Sequence, residues 1–141
     1  MTCYVDTSVW IALLAKEKTA PSVAAWMARG TPLLTAEWTQ VEVASGLGIK
    51  ARRLEFNQAV ASQMCAAFRQ LIAMDGVAIA PIVPTDFEEA ALICEQVDLA
   101  IRGGDGLHLA VAQRVGAAHF FSFDNALKRQ AKRMGMELME P

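Results

Sequence analysis

The stretch TCYVDTSVWIALLA, residues 2–15, carries the pattern on which the fold prediction depends. Residues 2–5 are short and β-like, whereas residues 8–15 are apolar almost all round and predict a buried helix. Asp6 stands between them, directly after the predicted strand. The rest of the chain repeats this alternation of a short strand and a longer helix.

Glycine and proline residues, which favour turns, divide the remaining sequence into further predicted elements. Thr85 is predicted as an N-cap, with Glu88 completing a capping box and Phe87, Ala91, Cys94 and Val97 on the helix that follows. Strands separated by helices predict an α/β fold with a mainly parallel sheet. We expect one domain over residues 1–141. The other predicted strands are residues 32–35, 77–83, 119–123 and 136–139, and the other helices are residues 22–29, 37–49, 56–74, 105–115 and 125–134.

Composition excludes several classes of protein. Apolar residues make up 54% of the 141 residues, which is incompatible with general disorder. The 13 basic and 15 acidic residues give a net charge of −2, so nucleic-acid binding would require a local basic patch. Cys3, Cys65 and Cys94 have no metal-ligand spacing and predict no disulfide scaffold. With no membrane-spanning stretch and no leader pattern, we expect a cytoplasmic protein.

Acidic residues occupy the positions where α/β proteins bind ligands. Such sheets bind them beyond the carboxyl ends of the strands. Asp6 follows the first predicted strand and Asp124 follows the fourth, while Asp105 comes after Gly103-Gly104 at a helix start. Each of the three is also well placed to cap a helix, so none of them alone indicates a catalytic site.

Glu42 is the fourth candidate acid. At helical spacing it shares a side of its helix with Trp38, Ser45 and Ile49, which predicts an inward orientation. A buried, unpaired carboxylate is costly, so it requires either a metal site or a structural partner such as Arg52 or Arg53.

Convergence of the four acids would require a compensating cation. Like charges about 4 Å apart repel by about 4 kcal/mol at an effective dielectric constant of 20. An all-oxygen set of carboxylates favours a hard divalent ion, Mg²⁺ or Mn²⁺. No cluster of Cys or His residues favours zinc.

At this point the sequence resembles the PIN domain family, and within it the VapC toxins of bacterial VapBC toxin–antitoxin pairs. The resemblance rests on four ordered segments: YVDTS at residues 4–8, WTQVEV at 38–43, RGGDGLHLA at 102–110 and SFD at 122–124. It implies an α/β/α sandwich and metal-dependent endoribonuclease activity. It also carries Asp6, Glu42, Asp105 and Asp124 over as catalytic, metal-binding acids.

Several polar residues are candidates for supporting roles beside these acids. Ser122 matches a position where the family often has Thr or Ser, Asn125 stands where the family can carry a further acid, and Thr7 follows Asp6. His108 is a candidate either for contact with the acids or for a packed or capping role. The basic residues that could contact RNA phosphates are Lys50, Arg52, Arg53, Arg102, Lys128 and Arg129, with Lys132 and Arg133 in the same cluster.

The resemblance also implies partners: an RNA substrate, a VapB-like antitoxin and a second copy of the chain in a homodimer. The predicted helices at residues 8–15 and 56–74 offer apolar surface for such contacts, although ordinary core packing explains them equally well. The principal alternative function is a PIN-like regulatory or RNA-binding module that does not cleave. A phosphohydrolase of the haloacid dehalogenase type would require a second Asp where Ser8 stands.

Overall fold

The computed structural model describes all 141 residues and contains five strands in one parallel sheet. The spatial order is β3-β2-β1-β4-β5. The predicted α/β fold with a parallel central sheet is therefore confirmed. The strands are β1 Cys3–Val5, β2 Leu33–Ala36, β3 Val77–Ala80, β4 His119–Phe121 and β5 Glu137–Leu138.

Seven α-helices connect the strands, and a short 3-10 turn at Val97–Leu99 precedes the sixth. None of them has the length and apolar character that a membrane span requires. The helices are α1 Thr7–Leu14, α2 Ala20–Met27, α3 Glu37–Arg52, α4 Gln58–Ile72, α5 Pro84–Glu95, α6 Gly103–Arg114 and α7 Asn125–Arg133.

The strand order places a topological switch point between β1 and β4. The chain leaves β1 toward β2 and β3 on one side, then returns to β4 and β5 on the other. Connections at such a point diverge and leave a crevice at the carboxyl ends of the two strands. Val5 is in register with Phe121, so the residues that follow them enter this crevice side by side.

Two apolar cores lie on opposite faces of the sheet, because side chains alternate along each strand. Tyr4 and Phe120 belong to the core formed with α5, α6 and α7. Cys3, Val5 and Phe121 belong to the core formed with α1, α2, α3 and α4. The molecule is therefore a three-layer α/β/α sandwich, which anchors β1 and β4 from both sides.

Several predicted boundaries differ from the structure for local reasons. The third strand ends at Ala80 instead of continuing to residue 83, before Pro81, which has no N–H for a ladder. Helix α4 begins at Gln58 because the Asn57 side chain accepts the Val60 N–H and caps it. Helix α6 begins at Gly103, two residues earlier than predicted, so Asp105 lies inside its first turn.

The predicted capping box at Thr85 and Glu88 is wrong. Val83 is the N-cap residue of α5, and the Asp86 side chain accepts the Val83 N–H at 2.9 Å. Asp86 is buried and also pairs with Arg114 of α6 at 2.7 Å. The buried face of α5 is therefore Asp86, Ala90 and Ile93. Phe87 and Ala91, which were predicted on this helix, are exposed, and Val97 lies beyond its end in the 3-10 turn.

Replacing Asp86 tests how α5 is held on α6. We expect Asp86→Ala to lower the free energy of unfolding by about 2 kcal/mol, since it removes charge-assisted hydrogen bonds and leaves Arg114 unpaired. Burial raises the pKa of Asp86, but the Arg114 contact outweighs it and the pKa lies below 3.8. The stabilising contribution of Asp86 is thus fully present above the ordinary pKa of 3.8. It is lost as the pH falls through the lower pKa that Asp86 has in the folded protein. Denaturant unfolding measures the effect, with exposed Glu89→Ala as the control; equal losses in both variants would contradict it.

Candidate functional site

Asp6 and Asp124 lie in the crevice between β1 and β4, joined through Ser122. The Asp6 carboxylate accepts hydrogen bonds from the Ser8 N–H at 3.1 Å and the Ser8 hydroxyl at 2.6 Å. Its second oxygen accepts the Ser122 hydroxyl at 2.9 Å, and the Ser122 oxygen accepts the Asp124 N–H at 2.9 Å. Ser122 therefore fixes the spacing between the segments that carry the two acids.

Asp6 and Asp124 also cap helices, so the structural and functional roles are combined in the same side chains. Asp6 caps α1 through the Ser8 N–H, and Asp124 caps α7 by accepting the Leu127 N–H at 2.9 Å. In each case one carboxylate oxygen accepts a hydrogen bond from a backbone N–H. Asp105 differs, because α6 begins with Arg102 as its N-cap residue and has no side-chain cap.

Glu42 reaches the site from α3, but not for the reason that the sequence suggested. The predicted inward stripe is wrong, since Ser45 and Ile49 are exposed and the buried face of α3 is Thr39, Val43 and Leu47. Glu42 is half-buried at the edge of this face.

The partners of Glu42 are polar groups of the crevice rather than Arg52 or Arg53. The Thr7 hydroxyl donates to Glu42 Oε1 at 2.7 Å, and His108 Nε2 contacts the same oxygen. Burial alone raises the pKa of Glu42, but the hydrogen bonds from His108 and Thr7 outweigh burial and keep the pKa below its usual value.

The charges of the other three acids all act on the pKa of Asp105. Burial, followed by the charges of Asp124 and Glu42, raises the pKa of Asp105 from 3.8 to about 6. Asp6 acts on it in the same direction. All four predicted acids therefore lie near enough to influence one titrating group. Burial also raises the pKa of Asp6.

Gly104 allows Glu42 to approach the first turn of α6. A Cβ atom at this position would lie 2.7 Å from Glu42 Oε2 and 3.0 Å from Trp38 Nε1. The Trp38 indole N–H is buried without a hydrogen-bond partner. A glycine is thus required here for close approach rather than for an unusual backbone angle.

The chemistry of the donor set fits a hard divalent cation, but the side chains do not form a ready-made cage. No three acidic, histidine or cysteine side chains are arranged so that they could hold a metal ion as they stand. Asp6 Oδ1, Glu42 Oε1 and Asp124 Oδ1 are committed to hydrogen bonds within the chain. Such a site suits Mg²⁺, which keeps several waters and is held by one or two carboxylates directly.

The predicted basic residues separate into two groups. Arg102 precedes α6, and Lys128 and Arg129 lie in the first turns of α7, so these three are within five residues of Asp105 or Asp124 along the chain. Lys50 pairs with Glu17 at 3.2 Å and Glu55 at 3.3 Å. It lies with Arg52 and Arg53 at the far end of α3, on the order of 12 Å from Glu42 along the helix axis.

Other predicted residues around the acids occupy different environments. Thr7 contacts Glu42, as described above, and Asn125 is an exposed residue at the start of α7.

Tyr4 is a residue of the site that sequence reasoning missed. Its hydroxyl lies 2.7 Å from His108 Nδ1. The place of Tyr4 in YVDTS was visible, but an apolar strand gives no sign that its one hydroxyl faces a histidine 104 residues away.

The fold and the site together define an α/β protein with an acidic crevice at the switch point of a five-stranded parallel sheet. The family model described as "PIN domain" matches residues 3–133. The chain therefore belongs to the PIN domain family, as the sequence motifs indicated. A comparison with curated proteins gave no matching sequence.

Solved structures of VapC toxins share the fold. VapC20 of Mycobacterium tuberculosis, described as a toxin that cleaves the sarcin–ricin loop, is 21% identical with a TM-score of 0.71, covering 91% of this chain and 94% of that one. VapBC2 of Rickettsia felis, bound to a promoter DNA fragment, is 14% identical with a TM-score of 0.67 (99% and 98% covered). VapBC-1 of nontypeable Haemophilus influenzae is 13% identical with a TM-score of 0.65 (99% and 98% covered).

Proposed function

We propose that the chain is the toxin of a type II toxin–antitoxin pair and acts as a metal-dependent endoribonuclease. The observation that carries the proposal is the place of Asp105 beside the other three acids: burial, and then the charges of Asp124, Glu42 and Asp6, raise the pKa of Asp105 to about 6. Like-charge crowding of this kind is costly for a purely structural site and is relieved by a divalent cation. Membership of the PIN domain family and the similarity to VapC toxins support the same function.

In this proposal Asp6, Glu42, Asp105 and Asp124 would hold Mg²⁺ or Mn²⁺. When bound, such an ion supplies hydroxide near neutral pH and neutralises charge that develops on phosphoryl oxygens. Ser122 orients Asp6, and Thr7 orients Glu42, through the hydrogen bonds described above. Because the pKa of Asp105 is about 6, a proton on this carboxyl would compete with a bound cation only below about pH 6.

The test is RNA cleavage by the purified chain with Mg²⁺, with Mn²⁺ and with EDTA, beside the variant Glu42→Gln. We expect cleavage with either metal, none in EDTA, and loss in a variant that still unfolds cooperatively. RNA binding without metal-dependent cleavage would favour the alternative, a PIN-like RNA-binding or regulatory module. Cleavage that persists in EDTA and in Glu42→Gln would reject the metal site.

We further propose that RNA approaches over Arg102, Lys128 and Arg129. The double variant Arg102→Ala/Arg129→Ala should weaken RNA binding and lower the slope of log affinity against log salt by about 1.4, if each side chain neutralises one phosphate of a single strand. Arg52→Ala/Arg53→Ala removes the same charge from the far end of α3 and is the matched control. Fluorescence anisotropy at several salt concentrations measures both, and equal slopes would contradict this path.

Exposed apolar side chains beside the acids support a protein partner. Trp38, Phe87, Ala91 and Leu107 line an open apolar groove next to Gly104, and Phe87 is 57% exposed. This groove lies on α3, α5 and α6, whereas the apolar residues of α1 and α4 pack mainly into the core. We propose that a VapB-like antitoxin covers this groove and that the toxin forms a homodimer. Light scattering of the chain alone, and after co-expression with a candidate antitoxin, tests both; a monomer in each case contradicts them.

A further inference from the structure

His108 is buried between three elements that build the acidic crevice. It lies on α6, one turn after Asp105, and is 1% exposed. Tyr4 of β1 contacts it edge-on, with ring centroids 5.8 Å apart, and Tyr4 is itself stacked on Phe120 at 5.4 Å. The ring therefore has a fixed place between the central strand and Glu42 of α3.

The neighbours of Nε2 require a proton on that nitrogen. Nε2 contacts Glu42 Oε1, and an ionised carboxylate can only accept hydrogen bonds. Nε2 also lies 3.1 Å from the Thr7 hydroxyl, whose single proton is directed to Glu42 at 2.7 Å. Toward His108, Thr7 can therefore act only as an acceptor, so both contacts call for a donor at Nε2.

The Tyr4 hydroxyl is the partner of the other ring nitrogen. It lies 2.7 Å from His108 Nδ1. A neutral imidazole that carries its proton on Nε2 can only accept at Nδ1. The Tyr4 hydroxyl is therefore the donor of this hydrogen bond.

We propose that Tyr4 and His108 are positioning residues for Glu42: the Tyr4 hydroxyl donates to Nδ1, this holds His108 as the Nε2–H tautomer, and Nε2–H fixes Glu42 Oε1. Glu42 Oε2 is thereby turned toward the first turn of α6, where it lies against Gly104. Outer hydrogen bonds of this kind orient the carboxylates that bind metals. The inference rests on the proposed metal site for its consequence, but not for the hydrogen-bond arrangement itself.

The side-chain ¹⁵N NMR spectrum of the metal-free chain at pH 7.5 tests the arrangement without reference to activity. We expect His108 to carry a proton on Nε2 and none on Nδ1. In Tyr4→Phe, which keeps the aromatic packing, we expect Nε2–H to persist because Glu42 and Thr7 still require it, and the Nδ1 resonance to shift because its hydrogen-bond donor is gone. An unchanged Nδ1 resonance would show that Tyr4 does not donate to it. A ring protonated at Nδ1 in the parent chain, whether or not Nε2 is protonated too, overturns the proposal.

A matched pair of amide variants tests the consequence for metal binding. The Gln side chain places an N–H near the position of His Nε2, whereas the shorter Asn side chain reaches only the position of Nδ1. Calorimetric titration with Mn²⁺ should show that His108→Asn weakens binding about 10–100-fold and that His108→Gln restores most of the affinity. Equal losses in both variants would indicate mere packing and overturn the proposal. Absence of Mn²⁺ binding by the parent chain would instead reject the proposed function, while the NMR result would still decide the hydrogen-bond arrangement.

Discussion

Asp105→Asn is expected to stabilise the metal-free protein at pH 7.5 while abolishing its metal response. Burial and the charges of Asp124 and Glu42 raise the pKa of Asp105 to about 6, so at pH 7.5 the folded protein carries a carboxylate that its surroundings disfavour. Asn has nearly the same shape without the charge. After allowance for the solvent screening of a partly exposed group, we expect a gain of about 1 kcal/mol, or about 2–4 °C in melting temperature.

The pH dependence identifies the cause of this gain. A carboxyl whose pKa is higher in the folded chain contributes stability that is fully present below its ordinary pKa of 3.8 and lost as the pH rises through about 6. The advantage of Asp105→Asn over the parent should therefore be largest above pH 6 and shrink toward pH 4. Thermal melts in EDTA measure it, with exposed Asp75→Asn, at the opposite edge of the sheet, as a charge-matched control.

The same variant should lose cleavage. If Asp105 helps to hold the cation, removing it costs several kcal/mol of transition-state stabilisation, and about 3 kcal/mol corresponds to about 100-fold in rate. Mn²⁺ should raise the melting temperature of the parent but not that of Asp105→Asn. An unchanged or lowered melting temperature for the metal-free variant at pH 7.5 would show that the four acids are not crowded.

Gly104→Ala should disable the site while leaving the fold intact. The added Cβ would lie 2.7 Å from Glu42 Oε2, so the carboxylate must move. The nearest atom is the end of a flexible side chain, and the Trp38 Nε1 contact at 3.0 Å requires a shift of only a few tenths of an ångström, so the fold accommodates the change at little cost. Alanine also favours a helix over glycine by roughly 0.5–1 kcal/mol. A displacement of about 1 Å in a catalytic group can cost about 100-fold in rate. We therefore expect unchanged or raised stability with cleavage and Mn²⁺ affinity both strongly reduced.

Gly103→Ala is the natural control for this experiment. A Cβ atom at Gly103 would meet nothing within 4 Å, although the residue is the immediate neighbour on the same helix turn. This variant should cleave RNA and bind Mn²⁺ like the parent. Comparable losses in the two variants would mean that the start of α6 needs glycine for another reason, such as backbone freedom.

Much of the fold was predictable from local patterns. Residues 2–15 predicted a strand, an acid and a buried helix, and the structure has β1, Asp6 and α1 in that order. The predicted helix cap was wrong where a nearby polar side chain took the place of the expected capping residue. At α5, Asp86 rather than Thr85 completes the cap because Asp86 also reaches Arg114 of a neighbouring helix. That contact spans 28 residues, and periodicity within one helix cannot reveal it.

The sequence by itself determined the order of strands and helices and placed acids after two strands and at a helix start, because hydrophobic period and capping chemistry act over a few residues. Only the tertiary structure decided the environment of each acid. It brought Tyr4, His108 and Glu42 into one hydrogen-bonded group and raised the pKa of Asp105. The physical reason is that burial and charge interactions depend on distances between segments far apart in the chain, which are set by strand order and by packing on both faces of the sheet.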